Sequence, residues 1–169
     1  TTPVLRHLDF SLGNLCNFKC RMCNSMSSSK WAADMLLLGE KRHPLYRRKA
    51  SELDVYDLSN IDTVKFKGGE TMFEQQTMLE VLEKIRDQHG DLSGVTIKFN
   101  TNGSHEMTDD LFKVLSACKS VYMVVSVDGI GKTNDYQRTG SSWPTLEKNL
   151  ISWATSMPGN FNLSIYSVW

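Results

Sequence analysis

The sequence predicts an α/β fold built on a parallel sheet, and three observations predict it. Short apolar or alternating runs of strand length recur at 5–12, 63–67, 95–99, 121–127 and 161–168. Between them, at 25–38, 75–88, 109–118 and 143–156, apolar residues fall three and four positions apart, the period of a helix with one buried face. Each of the first four strands also empties into a loop of unusual chemistry. Five strands alternating strictly with four helices require right-handed crossovers and parallel neighbours, in either an open doubly wound sheet or an arc of a barrel. Both architectures place ligands at the carboxyl ends of the strands.

The first strand carries Leu8, Phe10 and Leu12 on one face and is closed by the turn pair Gly13-Asn14. Ser residues from Ser25 onward supply an N-cap for a helix whose stripe is Trp31, Met35, Leu36 and Leu38, ended by Gly39. The second strand runs into Gly68-Gly69-Glu70, and the helix after it presents Met78, Leu79, Leu82 and Ile85, with Gly90 beyond. The third strand ends in Asn100-Thr101-Asn102-Gly103 and leads to a helix with Leu111, Phe112, Val114 and Leu115. The fourth, 121–127, is apolar at nearly every position, as a strand covered on both faces would be, and ends in Asp128-Gly129. Pro144 stands near the first turn of the last helix, where its missing N–H costs nothing.

Bulk composition narrows the function classes. With 169 residues and 40% hydrophobic content, the chain suits one domain spanning 1–169. Nineteen basic and nineteen acidic residues cancel, so no overall field draws it to nucleic acid or to an anionic membrane surface. No run approaches the ~20 apolar residues of a membrane span, and a secretory leader is not recognisable, which predicts a cytoplasmic protein. The four cysteines are too few for a disulfide scaffold, and three lie within eight residues, which predicts metal binding in a reducing compartment. The chain opens without an initiating Met and closes on the apolar run 165–169, as expected of an excised piece.

Cys16, Cys20 and Cys23 stand four and three residues apart, so a compact loop can wrap them around one face of an iron–sulfur cubane. Structural zinc normally takes four ligands, and none of His7, His43, His89 and His105 stands at a ligand spacing. Cys118 lies inside an apolar helical pattern and reads as a small buried hydrophobe. A cluster held by three thiolates keeps one iron open to bind and activate a small molecule.

The Cys-x3-Cys-x2-Cys loop is followed, in order and each at a strand end, by Gly68-Gly69-Glu70, Thr101-Asn102-Gly103 and Ser126-Val127-Asp128-Gly129. This combination resembles the radical S-adenosylmethionine (radical SAM) superfamily over nearly the whole chain. The segment Tyr136-Gln137-Arg138-Thr139-Gly140 resembles its SPASM/twitch-containing branch. The resemblance implies a partial parallel (β/α) TIM-like barrel with about five strands present, lacking at least one strand and an accessory domain. It implies a [4Fe-4S] cluster on Cys16, Cys20 and Cys23, with S-adenosylmethionine chelating the open iron. Reductive cleavage then yields methionine and a 5′-deoxyadenosyl radical that takes a hydrogen atom from a substrate, so no catalytic residue is needed beyond the cluster and S-adenosylmethionine. A flavodoxin- or ferredoxin-like electron donor is implied, and the substrate is a peptide, a protein or a small molecule.

By the same resemblance, Gly68, Gly69 and Glu70 bind the methionyl amino group, Ser126 and Asp128 contact the ribose and carboxylate, and Arg138 contacts the ligand carboxylate. Met22 borders adenine, or with Phe18 shields the cluster. Asn102, like Asn100, either contacts the ligand or caps a turn. Thr71 stands where the family usually has Pro, which predicts a less rigid loop. Plainer readings exist: Gly-Gly-Glu as an ordinary turn, and Arg138 as a surface residue. The 41–49 segment, with five Lys and Arg residues and His43, is a solvated loop or a contact for an anionic substrate, leader peptide or nucleic acid. Two rival functions are a non-catalytic zinc or iron–sulfur module and an electron carrier.

Overall fold

The computed structural model describes residues 4–168; residues 1–3 and 169, on which the reading of an excised piece drew, lie outside the described residues. The elements run β1 (His7–Ser11), β2 (Lys19–Cys20), α1 (Ala32–Leu37), β3 (Thr63–Lys67), α2 (Gln75–His89), β4 (Thr96–Thr101), α3 (Asp109–Ser116), β5 (Ser120–Ser126), α4 (Lys132–Gln137), β6 (Arg138–Thr139), α5 (Trp143–Ser156) and β7 (Phe161–Tyr166). The five long strands form one sheet in the order β1-β3-β4-β5-β7, every pair parallel. Sheet order equals chain order, with no reversal. A doubly wound sheet would reverse at a switch point, so this is the arc of a barrel.

The core comes from the two-residue period of the strands. Phe10, Phe66, Phe99, Met123 and Leu163 lie in register across the sheet, and Leu8, Val64, Ile97, Val121 and Phe161 form the next row on the same face. Against them pack Met78, Val81, Leu82 and Ile85 of α2, Leu111 and Leu115 of α3, and Leu146 and Trp153 of α5, all in one cluster. The opposite face is mostly polar, and β5 is covered on one face only: Tyr122 between buried Val121 and Met123 is exposed. Cys118 sits in the core as expected, donating to the Val114 carbonyl at 3.5 Å, and burial pushes its thiol up to about 12.

Three further features differ from expectation. The helix predicted over 25–38 is a short turn at Ser29–Trp31 followed by six residues of α1, and Leu36, Leu37 and Leu38 are exposed, since no sheet face lies under them. The helix α4 was not expected from the pattern, because its six residues include only one aromatic and no aliphatic side chain. The pair β2 and β6, antiparallel with Lys19 opposite Thr139 and Cys20 opposite Arg138, was likewise unforeseen. Among the described residues no helix is long and apolar enough to cross a membrane.

Phe99 is 1% exposed at the middle of the central row. Phe99→Ala should therefore cost about 3–5 kcal/mol, read as a lowered urea midpoint with an unchanged slope.

Candidate metal centre

The loop between β1 and β2 carries the three thiols, and backbone contacts fix its path. The ladder between β1 and β3 continues past both strands: Leu12 N–H donates to Lys67 O at 2.7 Å, Gly69 N–H to Gly13 O at 2.9 Å, and Glu70 N–H to Leu15 O at 2.8 Å. So close an approach excludes side chains. A Cβ on Gly69 would lie 2.3 Å from Leu15 O, and one on Gly68, at φ +152°, 2.7 Å from Gly13 O. On the other side, a Cβ on Gly13, at φ +135°, would lie 2.3 Å from Tyr46 O. Here Gly68 and Gly69 admit the cysteine loop itself.

Asn14, fully buried, donates through Nδ2 to Ser25 O and Pro44 O, both at 3.0 Å, and accepts from Tyr46 N–H at 3.0 Å. It thereby locks the start of the loop to the 41–49 segment. That segment is tied down again where Arg47 binds the buried Glu74 carboxylate bidentately, at 2.6 and 2.9 Å. Ser28 Oγ donates to Phe18 O at 2.5 Å, and Trp31 Nε1 donates to Cys20 O at 2.9 Å. The Ser residues expected to cap a helix thus brace the thiol loop. Asn102 Nδ2 donates to Asn17 Oδ1 at 2.9 Å, while Asn17 Nδ2 donates to Ser104 Oγ at 2.9 Å, joining the loop to the end of β4.

Cys16 and Cys20 are buried and Cys23 is half-buried. Burial pushes the Cys16 thiol up, opposed by a hydrogen bond from Phe18 N–H at 3.4 Å. The Cys20 thiol donates to Cys23, which pushes Cys20 up and lowers Cys23 to about 7. Arg138 Nη1 lies 3.8 Å from Cys20 Sγ and favours the thiolate. Arg138 is buried, contrary to the surface reading, because β6 pairs with β2 and carries it under the loop. Its Nε stands 2.8 Å from Asp128 Oδ2, an ion pair between two buried side chains that lacks the alignment of a hydrogen bond. Those two atoms are without a hydrogen-bond partner among the described residues.

A cavity of about 340 Å³ opens at the strand ends, lined by all three cysteines and by Gly68, Gly69, Asn102, Ser126 and Arg138. Of the other expected ligand contacts, Met22 is 41% exposed and Glu70 is 1% exposed; neither Met22, Glu70 nor Asp128 lines the cavity. Glu70 accepts from Thr101 Oγ1 and Asn102 N–H, both at 2.6 Å, and from Met72 N–H at 3.0 Å. Burial pushes its carboxyl up, and those bonds oppose the rise. Thr71 compensates for the absent Pro by donating to Asn100 O at 2.7 Å. Asn14, Asn17 and Asn134, whose Oδ1 accepts from Asp128 N–H at 3.0 Å, escaped sequence reasoning because Asn in a loop signals only a turn.

The donor set fits an iron–sulfur cluster. Three soft thiols share one compact loop at one cavity, and soft thiolates select such clusters. Among the described residues no group of three or more Cys, His, Asp or Glu side chains is arranged to hold a single metal ion. The ligands of a cubane each take a different iron and need no common point.

The model of the family described as a 4Fe-4S single cluster domain matches residues 8–149. No curated protein matches the chain. The fold is similar to that of anSMEcpe solved with bound AdoMet, at 19% identity and a TM-score of 0.65, covering 94% of this chain and 43% of that one. It is similar also to anSMEcpe with AdoMet and the Cp18Cys peptide, at 16% identity and 0.65, covering 93% and 42%. A third likeness is to Streptococcus suis SuiB bound to the precursor peptide SuiA, at 15% identity and 0.63, covering 96% and 33%. The chain therefore spans less than half the length of each. The partial barrel and the 4Fe-4S domain expected from the sequence both hold.

Two variants test this account of the loop. Gly69→Ala pushes a methyl into the Leu15 carbonyl and should cost about 1–3 kcal/mol by overpacking, with iron uptake per chain reduced as the loop shifts. Glu70→Gln leaves one acceptor oxygen facing three donors and should cost about 1–3 kcal/mol, read by chemical denaturation before any metal is added.

Proposed function

The chain belongs to the 4Fe-4S single cluster domain family, and from that premise we propose that it is a radical SAM enzyme core acting on a peptide or protein. Cys16, Cys20 and Cys23 hold the [4Fe-4S] cluster and leave one iron for S-adenosylmethionine. When bound, the pair supplies one-electron cleavage of a sulfur–carbon bond and a 5′-deoxyadenosyl radical that abstracts a substrate hydrogen atom. The observation that carries this reading is the single cavity at the strand ends that the three thiols share with Gly68, Gly69, Asn102, Ser126 and Arg138.

The residues of this chain bind and orient. Gly68 and Gly69 offer backbone polar groups to the methionyl amino group, with Asn102 beside them. Glu70 acts as a positioning residue, since its carboxylate accepts from the Asn102 backbone N–H. Ser126 offers a hydroxyl to the ribose. Arg138, which lines the cavity, takes the ligand carboxylate with its terminal guanidinium nitrogens, and Asp128 orients it at Nε. Phe18, buried and packed with the three cysteines, keeps water from the thiols. The core works as one domain in the cytoplasm, with an electron donor of flavodoxin or ferredoxin type. A peptide-borne substrate is supported by the likeness to anSMEcpe and SuiB, each solved with a peptide.

Anaerobic reconstitution should give about four iron and four sulfide per chain, and dithionite with S-adenosylmethionine should release 5′-deoxyadenosine. Cys20→Ala should abolish both. One zinc per chain without sulfide, or a metal content indifferent to Cys20→Ala, would overturn the reading in favour of a structural module. A stable cluster that yields no 5′-deoxyadenosine would make the protein an electron carrier.

A further inference from the structure

The strands that build the core with one face turn the other toward the space inside the barrel arc. Along that face Asp9, Lys65, Lys98, Tyr122 and Asn162 lie in register on β1, β3, β4, β5 and β7. Lys67 stands two residues beyond Lys65 on the same side, and all six side chains are exposed. In a barrel whose interior is a packed core such positions are branched and apolar. Lysines keep this interior wet.

Their charges are only partly matched. Lys67 is paired with Asp9. Lys98 lies over the Tyr122 ring, 5.6 Å from its centre, which leaves its ammonium open to an anion. Lys65 makes no salt bridge among the described residues. Lys65 and Lys98 are direct neighbours on adjacent strands about 4.8 Å apart, and like charges so placed oppose each other unless an anion joins them. Lys65 and Lys67 also line the cavity that holds the three cysteines.

We propose that the inner face of the sheet binds an acidic segment of the substrate peptide, with Lys65 and Lys98 taking carboxylates that flank the residue to be modified. The inference rests on the function proposed above and names the class of its substrate. Charge complementarity selects the occupant: three ammonium groups against one carboxylate on a face whose other side chains are uncharged and, Val124 apart, mostly polar. S-adenosylmethionine is the poorer match for this pair, because Lys65 and Lys98 stand two and three residues before the ends of β3 and β4 and Lys98 lies outside the cavity, whereas Gly68, Gly69, Asn102 and Ser126 stand at or past strand ends. The 41–49 segment is the poorer docking surface, since Arg47 and Arg48 are already paired with Glu74 and Glu52.

The test uses the reconstituted full chain and a fluorescein-labelled hexaglutamate peptide, followed by anisotropy. Wild type should bind it, and bind hexalysine far more weakly. The double variant Lys65→Gln/Lys98→Gln should lose about tenfold or more in affinity, while Lys65→Arg/Lys98→Arg should retain it. Lys41→Gln/Arg42→Gln should bind like wild type. The proposal is overturned if wild type does not prefer hexaglutamate, if the double Gln variant binds it undiminished, or if only the Lys41/Arg42 variant loses it. It is overturned as well if equilibrium dialysis shows the double Gln variant losing S-adenosylmethionine and not the peptide. Iron and sulfide counted on the same samples judge the cluster separately, so the two readings fail independently.

Discussion

Everything at the strand ends depends on how closely three backbones stack at Gly13, Gly68 and Gly69. The hydrogen bonds Gly69 N–H to Gly13 O and Glu70 N–H to Leu15 O extend the β1–β3 ladder beyond its last regular residues. They direct the chain leaving β1 across the mouth of β3 and start the thiol loop at a fixed point. Only hydrogen atoms fit between these backbones, given approaches of 2.3 to 2.7 Å for any added Cβ. Side chains such as Asn14 and Ser28 then set details of a path that the main chain has already fixed. The thiols are positioned by backbone first, which is the more rigid way to place a ligand set.

This constraint explains which parts were legible in the sequence. The five strands and the helices α2, α3 and α5 were readable because each buries a face, and burial imposes a period of two or of 3.6. Gly-Gly-Glu was readable as a motif, yet its local reason was not, because nothing in a sequence distinguishes a glycine that admits a ligand from one that admits another strand. The helix α1 misled in the other direction. Leu36, Leu37 and Leu38 mimic a buried stripe, but they lie outside the arc and bury nothing. Two-residue strands such as β2 and β6 have no period at all, so their pairing is visible only in three dimensions.

The alternation of each strand also divides its duties. On β3, Val64 and Phe66 point into the core while Lys65 and Lys67 point into the barrel, and on β4 Ile97 and Phe99 oppose Lys98 and Asn100. A slip of one residue in either strand would exchange the two sets completely. The apolar row therefore fixes the register, and the register delivers the polar row to the cavity at no added cost in specificity. Substitutions on the inner face can vary what the barrel holds without disturbing what holds the barrel together.

Arg138 shows how the short elements serve the same end. A guanidinium buried without a counter-charge would cost several kcal/mol, so its position must be bought by partners. Asp128, just past the end of β5, supplies a negative charge, and the thiol loop supplies a sulfur acceptor, Cys20 Sγ. The antiparallel pairing of Cys20 with Arg138 brings that second partner within reach, and Gly140 lets the turn after β6 pack against Asn17 and Phe18, where a Cβ would meet Asn17 O at 3.0 Å. Removing the Cys20 sulfur would leave Arg138 with one imperfectly aligned partner. Removing Arg138 would strand Asp128 and raise the cost of ionising Cys20. The loop, β6 and the end of β5 are thus one electrostatic unit, each member stable in its buried place only because the others are there.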